Sequence, residues 1–95
     1  MVTHVVLFKL KDRSPSTIRA VRERMAQVEG HIPTLLTLQV GINMVPSDRA
    51  YDLALVATFH SLDDLRAYQS HPVHVAMFDD VKANFDAIAA VDYEF

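Results

Sequence analysis

Cysteine is absent from the chain. That excludes a disulfide framework, a thiolate nucleophile, an iron–sulfur cluster and a cysteine zinc site, and it fits a reducing compartment, so the cytoplasm is the expected location. Glycine occurs only twice, at Gly30 and Gly41. Neither belongs to a glycine-rich phosphate loop, and no serine or threonine sits in a recognisable nucleophile motif, which sets aside ATPase, dinucleotide-binding and hydrolase readings. An excess of one charge is also missing. Nine basic residues stand against twelve acidic ones, for a formal charge of −3, with no block of like sign. Nucleic acid and anionic lipid are therefore not expected as partners. Long apolar runs are lacking too: no segment approaches the ~20 residues of a membrane span, and Met1 to Lys11 does not have the layout of a signal peptide. A soluble protein is expected.

What is present is enough for one core. The 95 residues are 51% hydrophobic, and a chain of this size is expected to fold as a single domain, residues 1–95, burying roughly 60 to 68% of its unfolded surface. Val2 to Lys11 is rich in β-branched and aromatic residues, with Val2, His4, Val6, Phe8 and Leu10 on one side, and reads as a first strand. Ser14 then Pro15 reads as a helix N-cap with proline in the first turn, and Ile18, Val21, Met25 and Val28 recur at helical spacing until Gly30. Two alternating runs follow, one from Leu35 to Val45 and one from Tyr51 to His60, joined by the turn residues of Pro46 to Ala50 as a hairpin. Ser61 with Asp64 three residues on opens a short helix ending near Ser70. His71 precedes Pro72, which pushes it out of helical geometry and starts a second segment running to about Asn84, with His74, Phe78, Val81 and Phe85 as its stripe. Ala87 to Phe95 alternates again as a last strand.

The resulting order, β-α-β-β-α-β, predicts an α+β fold of ferredoxin-like type, with helices covering one face of an antiparallel sheet. Thr37, Gln39, Asn43 and Asp52 make the other face partly polar. Its first and last strands are apolar on both sides, however, so a second copy is expected to cover that face in a homodimer.

Three stretches carry a family resemblance: Thr3-His4-Val5-Val6-Leu7-Phe8-Lys9-Leu10-Lys11, Tyr68-Gln69-Ser70-His71-Pro72-Val73-His74-Val75, and Val91-Asp92-Tyr93. Together they resemble the stress-responsive dimeric A/B barrel (Dabb) family over nearly the whole chain. The resemblance implies a ferredoxin-like protomer that pairs through its sheet into a barrel with helices outside. It also implies one of several functions, since that family holds stress-induced proteins as well as olivetolic acid cyclase-like enzymes. By similarity to the latter, His74 and Tyr68 are the catalytic pair, and His4 and His71 are pocket histidines. Leu53 stands where the cyclase pattern has a further histidine, and Phe85 where it has tryptophan.

The residues themselves permit that chemistry. His74 interrupts an apolar stripe, and partial burial favours its neutral form, which a general base beside a carbonyl requires; a tyrosine hydroxyl can then hold the enolate oxygen. On one straight helix, six residues would set Tyr68 and His74 about 240° apart, so only the break at Pro72 lets them converge. The expected pocket for a small hydrophobic or aromatic oxygenated compound is lined by His4, Val6, Phe8, Leu53, Leu55, His71, Phe78 and Ile88. No cofactor is expected, and no metal, because His71, His74 and Asp79 lack a three-ligand spacing. The alternatives are a non-enzymatic stress protein and a cofactor-free monooxygenase-like enzyme.

Overall fold

The computed structural model describes all 95 residues. Its elements are β1 (Val2–Leu10), α1 (Pro15–Ala26), β2 (Thr37–Ile42), β3 (Leu53–Phe59), α2 (Leu62–Ser70), α3 (Pro72–Val81) and β4 (Phe85–Glu94), with one 3₁₀ turn over Lys82–Asn84. The strands form one antiparallel sheet in the order β2-β3-β1-β4. This is the ferredoxin-like α+β arrangement.

Local chemistry sets most boundaries. The Ser14 hydroxyl accepts the Thr17 N–H and Pro15 opens α1, while the Ser61 hydroxyl accepts the Asp64 N–H at the start of α2. The first helix stops at Ala26, earlier than its apolar spacing predicts. Turns then carry the chain to Gly30, whose φ of +82° suits glycine. The β2 strand is also shorter than the alternation that predicts it. Ile42 pairs with Leu53, the first residue of β3, so Met44 and Val45 have no partner strand and project into solvent. Phe85 is corrected from helix to strand: after the 3₁₀ turn it begins β4, and its ring packs on Phe8 at 4.6 Å.

One face of the sheet is covered. Val6, Phe8 and Leu10 of β1 and Leu53, Leu55, Ala57 and Phe59 of β3 bury against Val21 and Met25 of α1, Leu65 and Tyr68 of α2, and Met77 and Val81 of α3. Burial of that apolar surface, at roughly 25 cal/mol per Å², holds the layers together. On the opposite face Leu7, Val91 and Tyr93 are exposed.

Asp52 departs from its expected place on the solvated face. It is buried, and its carboxylate accepts the Leu10 N–H at 2.9 Å and the Arg13 guanidinium at 3.0 Å. It thereby fastens the end of β1 to the start of β3. Asp52→Ala leaves a buried backbone donor unpaired and is expected to cost about 2 kcal/mol in urea unfolding. Asp52→Asn keeps an acceptor for Leu10 and is expected to cost less; equal losses would contradict this account.

Candidate functional site

The break between α2 and α3 places the chemistry. His71 adopts φ −65° and ψ 137°, the extended geometry that a following proline imposes, and Pro72 opens α3. The His71 Nδ1 accepts the Val73 N–H at 3.1 Å, so this imidazole caps α3. Across the break the chain changes direction, and the rings of Tyr68 and His74 lie 4.6 Å apart instead of on opposite sides of one helix. Both face a cavity of about 260 Å³ between the helices and the sheet.

Tyr68 is fully buried. Its ring packs on Phe59 at 5.1 Å and meets His4 edge-on at 6.3 Å, yet its hydroxyl has no hydrogen-bond partner. Burial pushes its pKa up to about 12, so it stays a donor at neutral pH. His74 donates its Nδ1 proton to the Gln69 carbonyl at 3.0 Å, which leaves the Nε2 lone pair free in the neutral ring. Its pKa is held below the ordinary histidine value, first by burial and further by charge on His4, with the Gln69 bond pulling the other way. His4 stands on β1 directly across from Asp92 of β4, and its Nδ1 bonds to the Asp92 carboxylate.

Of the residues expected at the pocket, His4, Val6, Phe8, Leu55, Tyr68, His74, Phe78 and Ile88 line this cavity. Leu53 and His71 do not. Leu53 lies two residues back along β3 in the core, and His71 spends its ring nitrogen on the α3 cap. Sequence reading missed Gln69, Met25 and Met77 in the wall, and Asp92 behind His4. The Asp92 pairing follows once β1 and β4 are set antiparallel, because that register puts His4 opposite Asp92. For metals, Asp79 pairs with Lys82, and no three histidine, cysteine, aspartate or glutamate side chains are placed to hold an ion.

A buried hydroxyl without a partner costs stability. Tyr68→Phe is therefore expected to raise stability by about 1 kcal/mol in urea unfolding of the ligand-free protein. A loss of stability on this change would show that the hydroxyl has a partner in the fold.

The family model described as Stress responsive A/B Barrel Domain matches residues 2–95. An uncharacterised protein of Streptomyces coelicolor is 32% identical over 101 residues, with both chains covered in full. A dimeric protein of unknown function and ferredoxin-like fold from Bacteroides fragilis is 34% identical, with a TM-score of 0.85 over 99% of this chain and 95% of that one. The hydroxynitrile lyase of Passiflora edulis has a TM-score of 0.82 over 97% of this chain and 90% of its own, at 22% identity, a likeness of fold alone.

Proposed function

Because the chain belongs to the stress responsive A/B barrel domain family, we propose that it works as a homodimer whose cavity takes a small, neutral, oxygenated hydrophobic or aromatic compound and moves a proton within it. The reaction is of cyclase or isomerase type. One observation carries this reading: Tyr68 holds a fully buried hydroxyl with no partner, beside a neutral His74, in an otherwise apolar wall. Packing alone gains nothing from that hydroxyl, whereas a ligand carbonyl would satisfy it.

The chemistry follows from the protonation states. Neutral His74 takes a proton from carbon beside the carbonyl through Nε2, and Tyr68 donates a hydrogen bond to the oxygen as negative charge develops there. The wall contains no lysine or arginine, so a carboxylate or phosphate would meet little to balance its charge. That a hydroxynitrile lyase has the same fold supports the capacity of this architecture to hold an active site. For the dimer, the support is the apolar sheet face, with Leu7 and Val91 exposed, and the dimeric Bacteroides fragilis relative.

A binding screen of neutral aromatic ketones, phenols and lactones, read by amide chemical shifts, tests the cavity. Saturable shifts at Tyr68, His74 and Val6 are expected. They should vanish in Ile88→Trp, which fills the mouth from a half-exposed position. A screen in which no compound perturbs these residues sinks the reading.

A further inference from the structure

The two histidines that flank Tyr68 are held by different kinds of group. His74 gives its Nδ1 proton to a neutral carbonyl, that of Gln69. His4 bonds through Nδ1 to a carboxylate, that of Asp92. The His4 side chain is only 10% exposed and lines the cavity, whereas the Asp92 side chain is 42% exposed and stands behind it, outside the wall. An imidazole backed by a carboxylate is stabilised with both nitrogens protonated, while one that donates to a carbonyl in apolar surroundings is stabilised neutral. Two chemically identical side chains in one cavity thus have unlike partners, a carboxylate behind His4 and a neutral carbonyl behind His74, an asymmetry suited to an acid and a base.

We infer that Asp92 is a positioning residue that holds His4 as a proton donor, so that the cavity carries a base, His74, and an acid, His4, on either side of Tyr68. This rests on the reading of the cavity as a site for a neutral carbonyl compound and deepens it. In the step, the C–H bond beside the carbonyl breaks and its proton bonds to Nε2 of His74. The electron pair moves to the carbonyl oxygen, which takes the proton from Nε2 of His4 while Tyr68 donates a hydrogen bond. The product is the enol, His4 ends neutral and His74 charged, and the total charge is unchanged. Exchange with water at the cavity mouth resets both rings. Return of a proton to a different carbon completes an isomerisation.

Nitrogen NMR of the imidazoles tests the assignment on the ligand-free protein, with the His74 titration midpoint as reporter. Charge on His4 opposes charge on His74. His4→Gln should therefore move the His74 midpoint upward, and Asp92→Asn should do the same by releasing His4 from its charged form. The sign is diagnostic: if Asp92 were only a nearby negative charge, neutralising it would move the His74 midpoint down. Asp92→Glu, which keeps the carboxylate, should restore the wild-type midpoint. The second measurement is deuterium exchange at the acidic carbon of 1-phenylbutane-1,3-dione, expected to slow at least about tenfold in Asp92→Asn. A downward or absent midpoint shift, or exchange that the wild type catalyses and Asp92→Asn leaves unchanged, overturns the inference. An upward shift together with no exchange in the wild type sinks the cavity's catalytic reading alone and leaves the acid-base assignment standing.

Discussion

His74→Ala is expected to lower turnover of any compound the cavity converts by about 10²- to 10⁴-fold, the usual contribution of a positioned general base. The ring lies at the start of α3, where its only hydrogen bond is to the Gln69 carbonyl, and neither the Ser61 cap of α2 nor the His71 cap of α3 depends on it. Circular dichroism and the dimer's sedimentation should therefore stay as in the wild type. The base must be neutral to act, so activity should rise with pH on its acid limb, with the midpoint of that limb below the ordinary histidine value. Stability follows the same sign. Because the folded protein disfavours the charged ring, the contribution of His74 is present above pH 6.5 and is lost as pH falls from there through its lowered pKa. His74→Ala removes that acid sensitivity. An unchanged rate in the variant would end the assignment of His74 as base.

A glutamate at Leu7 or Val91 is expected to turn the proposed homodimer into a monomer. Both side chains stand on the face away from the helices, Leu7 37% and Val91 56% exposed in the single chain. Two-fold pairing would bury each substitution twice, placing two carboxylates in an apolar interface at a cost of several kcal/mol. That corresponds to a rise in Kd of at least about a hundredfold. Sedimentation equilibrium at micromolar concentration reads it directly. Arg19→Glu, on the exposed side of α1, is the control that should leave the dimer intact. If Leu7→Glu and Val91→Glu remain dimeric, the copies meet through another surface.

Much of the site was legible because its signals are local. Ser61 with Asp64 marks the start of α2, and Pro72 acts on the residue before it by steric contact alone. The helical angle between positions 68 and 74 then requires a break if Tyr68 and His74 are to meet, and their rings do lie 4.6 Å apart. Alternation along β1 likewise places His4, Val6 and Phe8 on the side that lines the cavity. The helical spacing misplaces Phe85, which begins β4, for a related reason. Its spacing from Phe78 and Val81 fits a helical stripe, and a turn of three residues is too short for periodicity to register.

The amino-acid sequence by itself determined the order of elements, the capped and broken second helical region, and the absence of cysteine chemistry, since each depends on neighbours within a few positions or on composition. Only the tertiary structure decided which polar groups meet. Asp52 reaches Arg13 across 39 positions and Asp92 reaches His4 across 88, pairings that depend on strand order and register and leave no trace in local spacing. The same holds for the Tyr68 hydroxyl. Whether a buried donor finds a partner depends on every element packed around it, and here β1, β3 and the two segments about Pro72 bury the hydroxyl and leave it with none.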